Sequence, residues 1–255
     1  MRGTELIGHR GASYEAPENT LASFRLAWEE EADGVEGDFR LTRDGEIVCL
    51  HDPTTRRTTG VRLVVADATL TQLRELDVGA WKGKAWLGEP IPTLREVIAT
   101  VPPGKRLFIE LKSGPEIILP LAAILAEPGI GPEQVTILSF DAEVVAEARK
   151  LLPEVKALWI TGYTRDWRCG GWSPPLGEVL RTLERTGASG LASQARRFID
   201  ATFVRALRYA GMEFHVWTVD APRSAARFIA LGANSVTTNR PGWLRSRLQV
   251  SAPHD

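Results

Sequence analysis

The chain has 255 residues, of which 44% are hydrophobic and 25% charged, and 31 basic against 32 acidic side chains leave a net charge of −1. That length suits one large domain or two ordinary ones, and the apolar content can build a core that needs neither disulfides nor a structural metal. The even charge balance gives no broad field to recruit nucleic acid or an anionic membrane, and no apolar run reaches the ~18–20 residues of a transmembrane segment.

The opening MRGTELIGHRG carries one arginine and then enters a strand pattern, without the apolar centre of a signal peptide, so a cytoplasmic protein is expected. Cys49 and Cys169 read as two thiols of a reducing compartment, since nothing in their spacing suggests a disulfide framework. Arg56–Arg57 and Arg196–Arg197 read as solvated surface pairs, and the SAPHD tail with His254 as frayed and idle.

Along the chain, short β-rich runs alternate with helical patterns. TELIGH is a first strand, and ENTLASFRLAWEEEA a helix burying Leu21, Phe24, Ala27 and Trp28, with Asn19 or Thr20 as its cap. GVEGDFRLT is a second strand, and the Asp44-Gly45 turn sends IVCLHD back antiparallel to it. Residues 53–92 break the rhythm with polar turns, a helical piece around Leu70–Leu76, and Trp81 and Trp86; they read as a small insertion in a single domain spanning 1–255.

The rhythm then resumes through RLFIELK, QVTILSF, KALWIT, GLASQ, EFHVWTVD and NSVTTN, each followed by a helical pattern. Only a Gly-, Pro- and Trp-rich stretch, 163–175, interrupts it; this loop could be a lid, a substrate wall or an oligomer contact. Eight main strands separated by helices, several of them continuous apolar runs, point to an α/β fold of the (β/α)8 TIM-barrel kind with its insertion after the second-strand hairpin. No Gly-x-Gly-x-x-Gly run supports an open dinucleotide-binding sheet.

Catalytic groups of such barrels sit at the C-terminal ends of the strands. Here those ends carry His9-Arg10, Glu36-Gly37-Asp38, His51-Asp52 and Glu110-Leu111-Lys112. Side chains two apart on a strand share a face, so Glu36, Asp38 and Glu110 converge from adjacent strands on one mouth. Three unpaired carboxylates are costly to bury, and a divalent cation removes that cost. Oxygen-only ligands favour a hard ion, Mg²⁺ or Ca²⁺, with Mn²⁺ a further candidate. The bland reading makes these rim salt bridges, Glu36 with Arg10 and Glu110 with Lys112; the position of the whole set at strand ends favours function. Arg10 offers a planar fork to phosphate oxygens, and His9 and His51 titrate near neutrality, which together describe phosphoryl transfer.

At this point HRGASYEAPENTLASF, VEGDFRLTRDGEIVCLHDPTTRRTT, IPTLREVI, IELK and VWTVD resemble the glycerophosphodiester phosphodiesterase family across essentially the whole chain. The resemblance implies hydrolysis of glycerophosphodiesters to an alcohol and sn-glycerol 3-phosphate with a divalent ion, a role in glycerol and lipid metabolism. Carried over by motif, His9 and His51 become the acid/base pair, Glu36, Asp38 and Glu110 the metal ligands, and Arg10 and Lys112 the phosphate contacts. Glu18 and Asn19 match the family's PENT stretch, Glu18 supporting the site and Asn19 ordering the first helix.

Trp217 and Phe140, at strand ends, are candidates for an apolar wall beside the substrate, with simple packing as the alternative. His215 lies deeper on the Trp217 face and reads as a hydrogen-bonded core residue. One departure stands out: the family often has Asp in a Thr-Asp-x-Pro run where this chain has Thr238-Asn239-Arg240-Pro241. Asn239 is expected to lower local stability modestly and to leave catalysis alone.

Three other readings compete. A lysophospholipase D or sphingomyelinase D-like enzyme would keep fold and metal but needs an apolar surface by the mouth, at Trp81/Trp86 or Trp167/Trp172. A metal-dependent amidohydrolase would need His-x-His after the first strand, which His9-Arg10-Gly11 lacks. A non-catalytic phosphoglycerol-binding protein would usually have lost a histidine or carboxylate, and none is missing. The expected partner is a small phosphodiester, not nucleic acid; oligomeric state is left open.

Overall fold

The computed structural model describes residues 3–165 and 170–250. Its strands are β1 (Glu5–His9), β2 (Gly34–Leu41), β3 (Ile47–Cys49), β4 (Arg106–Leu111), β5 (Val135–Ser139), β6 (Lys156–Thr161), β7 (Thr164–Arg165), β8 (Trp172–Ser173), β9 (Gly190–Gln194), β10 (Glu213–Trp217) and β11 (Ser235–Thr238). The helices are α1 (Leu21–Glu29), α2 (Arg56–Thr59), α3 (Leu70–Arg74), α4 (Leu94–Ile98), α5 (Ile118–Leu125), α6 (Ala142–Leu151), α7 (Leu176–Thr186), α8 (Ala201–Tyr209), α9 (Pro222–Ala230) and α10 (Pro241–Val250).

Eight strands, β1, β2, β4, β5, β6, β9, β10 and β11, pair in parallel, and β1 joins both β2 and β11. The eight parallel strands therefore close into a (β/α)8 barrel, each paired on both sides. Burial explains why these runs are so apolar. Outward residues such as Val35, Leu107, Ile137, Leu191 and Val236 pack under the helices in one large cluster. Inward residues Ile7, Phe108, Leu138, Leu158, Ile160 and Ala192 form a second, inside the barrel. Two buried faces demand near-continuous hydrophobic strands. At Asp44-Gly45 the chain reverses through a glycine with φ of 83°, and β3 pairs antiparallel with the far end of β2.

The first helix differs from its expected form. Ser23, Phe24 and Ala27 are its buried residues, while Leu21 and Trp28 pack only partly at the edge. Its cap is Thr20, which accepts from the Ser23 N–H; Asn19 does not order this helix, because its amide is engaged at the barrel mouth.

Between β3 and α4, residues 53–92 hold α2, α3 and three short 3-10 turns. Val65, Ala68, Leu73, Val78 and Ile91 gather there on Val48 and Leu50 in a cluster separate from the barrel cores. The Trp-rich stretch contains the small antiparallel hairpin β7–β8, and Trp172 stacks on Phe198 at 4.9 Å with the Arg196 guanidinium 5.4 Å from its ring. Arg196 is thus a packing residue and not merely solvated; it also donates to Gln194. Trp167, Cys169 and His254 lie outside the described residues. Among the described residues no helix is long and apolar enough to cross a membrane.

Candidate active site

Register brings the acidic residues together. His9 of β1 is opposite Glu36 of β2, and Asp38 is opposite Glu110 of β4. One carboxylate oxygen from each of Glu36, Asp38 and Glu110 lies within 4.8 Å of the others, and all three residues are buried. Glu36 Oε1 is sealed from solvent without a hydrogen-bond partner. Burial, compounded by Asp38, pushes the Glu36 and Glu110 carboxyls well above their usual range. Burial would raise Asp38 too, but the Lys112 and Arg10 cations outweigh it and hold that carboxylate ionised. An orphaned oxygen among three crowded carboxylates, with no nitrogen or sulfur donor in the set, fits a hard divalent cation.

Two cations frame this cluster. The Lys112 ammonium contacts Glu110 Oε1 and lies 3.1 Å from Asp38 Oδ1. Arg10 reaches Asp38 Oδ2 through Nε at 3.0 Å and Glu18 Oε1 through Nη1 at 2.7 Å, while its backbone N–H donates to Glu36 Oε2 at 3.0 Å. That pose requires a tight turn: Arg10 has φ of 55°, and the Gly11 backbone lies against α1 so closely that an added Cβ would be 2.4 Å from Ser23 Oγ. Asn19, also left-handed at φ 59°, donates through Nδ2 to Asp38 Oδ2 at 2.9 Å and accepts the Asp38 N–H at 3.1 Å. Both outliers sit where the site is assembled, as strain at functional positions commonly does.

The two imidazoles are oriented from behind. His51 Nδ1 lies 2.7 Å from Asp52 Oδ1, and Arg57 donates to both Asp52 oxygens and to both Glu18 oxygens. Arg57 is therefore no free surface charge; its hydrogen bond is the main reason the Asp52 carboxyl falls to about 2. Arg40 donates twice to the His51 carbonyl and once, at 3.1 Å, to that of Lys112. His9 Nδ1 is 2.7 Å from Asn239 Oδ1, which also accepts from Ser13. Asn239, expected to stand apart from the chemistry, touches a candidate acid/base residue. Burial lowers both the His9 and His51 pKa values below that of free imidazole.

His9, Arg10, Glu36, His51, Glu110 and Lys112 line one side of a single cavity; Asp38, Glu18 and Asn19 contact these groups from behind. The opposite side is apolar, with Leu138, Phe140, Ile160, Ala192 and Trp217. Phe140 and Trp217 meet edge to face at 5.6 Å, and the Trp217 Nε1–H is consumed by the Ala192 carbonyl, so the wall presents carbon surface. His215 borders the floor, its Nδ1 2.8 Å from Ser235 Oγ and its ring edge-on to Phe108. Trp81 and Trp86 are not among the lining residues. The sequence assigns no role at the site to Arg40, sets Arg57 on the surface, and marks Asn239 only as a departure from the family's Thr-Asp-x-Pro run; all three touch the site's groups.

The chain as a whole, barrel and sequence, is similar to known proteins. The model of the glycerophosphoryl diester phosphodiesterase family matches residues 9–243. A glycerophosphodiester phosphodiesterase of Caldanaerobacter subterraneus is 34% identical over 248 residues, covering 94% of this chain and 96% of its own. Among solved structures, an Oleispira antarctica phosphodiesterase in complex with its product sn-glycerol 3-phosphate superposes with a TM-score of 0.84 at 28% identity, over 96% of each chain. The Thermotoga maritima glycerophosphodiester phosphodiesterase gives a TM-score of 0.76 at 25% identity, over 96% of this chain and 99% of the other. Sequence and barrel agree, and this enzyme belongs to the glycerophosphoryl diester phosphodiesterase family.

Proposed function

We propose that the enzyme hydrolyses glycerophosphodiesters to an alcohol and sn-glycerol 3-phosphate, with a divalent cation held by Glu36, Asp38 and Glu110 and with His9 and His51 as the acid/base pair. The observation that carries this reading is the convergence of the three carboxylate oxygens, within 4.8 Å of one another, in a cavity that both histidines line. A cation bound there would neutralise charge on the phosphoryl oxygens. Arg10 and Lys112 hold those same oxygens from the rim, each already placed by its own carboxylate contacts.

The neighbouring glycerol hydroxyl attacks phosphorus and gives its proton to one imidazole, while the other protonates the departing alcohol oxygen. Water then opens the cyclic phosphate with the two roles exchanged, which restores both rings. Burial lowers both imidazoles from their ordinary value of 6.5, which favours the proton-accepting form in the ring that starts as base; the partner ring must carry its proton when the substrate binds. Phe140 and Trp217 form the apolar wall against which the carbon chain of the substrate rests. Residues 53–92 act as a small insertion within one catalytic domain, closing the rim through Arg57. A cytoplasmic location completes the reading, supported by the free, buried Cys49 thiol.

The site of a related enzyme in complex with sn-glycerol 3-phosphate supports the product assignment. The test is a panel of glycerophosphodiesters assayed with EDTA, Mg²⁺, Ca²⁺ and Mn²⁺. Release of glycerol 3-phosphate that EDTA stops and a cation restores is the expected result; metal-independent release, or none from any member, contradicts the reading. A lysophospholipid substrate is the second reading, favoured by exposed Tyr14 on the loop after β1 and exposed Trp81, whose neighbour Lys82 donates to the Ser13 carbonyl of that loop. Faster turnover of lysophosphatidylcholine than of glycerophosphocholine would select it.

A further inference from the structure

We infer that Asp220 and Asn239 act as one positioning pair that fixes the His9 ring with its proton on Nδ1, leaving the lone pair on Nε2. The inference rests on His9 being an acid/base residue, as proposed above. An amide facing an imidazole nitrogen could present either oxygen or NH₂, and each choice selects a different tautomer.

Asp220 decides between them. Its Oδ2 lies 2.7 Å from Asn239 Nδ2, and a carboxylate can only accept, so the NH₂ must point to Asp220. The Asp220 carboxylate cannot turn away, because Oδ1 already accepts from Thr238 Oγ1 and from the Asn239 backbone N–H, both at 2.8 Å. Asn239 Oδ1 therefore faces His9 Nδ1 at 2.7 Å and accepts from Ser13 Oγ at 3.0 Å. His9 must donate from Nδ1, and neutral His9 carries its lone pair on Nε2, the remaining ring nitrogen of a residue that borders the cavity. A carboxylate on the outer member and an amide on the inner one thus act in series: the acid sets the amide, and the amide sets the ring.

With Asp220→Asn alone, two amides meet; Asn239 is free to turn its NH₂ toward His9, which selects the Nε2–H tautomer. With Asn239→Asp alone, two carboxylates meet across the same 2.7 Å gap. Combining Asp220→Asn with Asn239→Asp conserves every bond. The amide now on the outer member would accept from Thr238 and donate inward, and the carboxylate now on the inner member would accept that bond together with those from His9 and Ser13.

The experiment measures kcat, KM and the ¹⁵N resonances of the histidines, assigned with His9→Ala, in the intact chain. Wild type should show His9 as Nδ1–H at pH above its titration. Asp220→Asn should convert it to Nε2–H and lower kcat by about 10²–10⁴-fold with KM little changed. The double exchange should restore the Nδ1–H tautomer and bring kcat back to within about tenfold of wild type, a large coupling between contacting residues. Retention of Nδ1–H in Asp220→Asn overturns the inference, as does a double exchange no more active than its parents. Should Asp220→Asn fail to fold, the double exchange decides alone. Full activity of His9→Ala would instead overturn the proposed function, whatever the tautomer.

Discussion

Arg57 and Glu18 are joined by two hydrogen bonds, at 2.8 and 3.0 Å, although 39 residues separate them in the chain. Arg57 comes from the 53–92 segment and Glu18 from the turn after the first barrel strand, so the bond ties the rim segment to the mouth. On its far side Arg57 holds Asp52, and Asp52 holds His51; on its near side Glu18 holds Arg10. A continuous chain of ion pairs and hydrogen bonds therefore connects a phosphate-binding candidate to an acid/base candidate.

Arg57→Ala should break that chain at its middle. The pairs are partly exposed, so stability should change by no more than about 1 kcal/mol. Activity should fall about tenfold or more, because orienting groups behind a site are worth that much when removed. Steady-state kinetics together with thermal melting check this; a Tm loss with unchanged kinetics would make Arg57 purely structural.

Asn19 offers a cleaner separation of strain from hydrogen bonding. Its φ of 59° costs Ala about 1–3 kcal/mol and costs Gly almost nothing, whereas both lose the amide that holds Asp38. Asn19→Gly and Asn19→Ala should weaken Mn²⁺ binding alike, by about 10–100-fold, while only the alanine variant loses substantial Tm. Calorimetric titration reads the first effect and melting the second. Unchanged Mn²⁺ affinity in both would detach Asn19 from the acidic cluster.

The acidic cluster also sets a pH dependence. Glu36 and Glu110 have folded-state pKa values raised by burial and by Asp38, so between the unfolded and folded values the native state binds more protons than the unfolded one. Stability of the cation-free protein must then fall as pH rises through that window. With EDTA, Tm should be higher near pH 5.5 than near pH 8, and the gain on adding Mg²⁺ or Ca²⁺ should grow with pH. A cation effect independent of pH would argue that these carboxyls are not the ligands.

Much of this architecture was legible in the sequence, for physical reasons. Barrel strands such as TILSF and LFIEL must be apolar on both faces, and i, i+2 spacing places Glu36 with Asp38 whatever the detailed packing. What stayed hidden depends on long-range partners. Asn239 meets His9 across 230 residues, and nothing local in Thr-Asn-Arg-Pro reports it. Arg57 resembles any exposed helical arginine until the fold brings Glu18 and Asp52 to it. Asn19 looked like a helix cap because cap residues and Asp-binding amides are the same residue types; its left-handed backbone, invisible in sequence, turns the side chain inward.

His51→Ala and Lys112→Ala divide the proposed labour. The first should lower kcat by about 10²–10⁴-fold with the fold intact. The second should raise KM for the phosphodiester more than it lowers kcat, since its ammonium contributes charge and not a proton. Near-normal turnover in His51→Ala, or an unchanged KM in Lys112→Ala, would remove that residue from its role.

The central claim is that carboxylates from adjoining barrel strands gather a cation on which turnover depends. Titrating EDTA-stripped enzyme with Mn²⁺, while following bound ion by electron paramagnetic resonance and glycerol 3-phosphate release in the same samples, tests it most directly. One ion per chain should bind with activity rising in parallel, and Asp38→Ala should lose both. Undiminished Mn²⁺ binding in Asp38→Ala, or full activity before any ion is added, would contradict it.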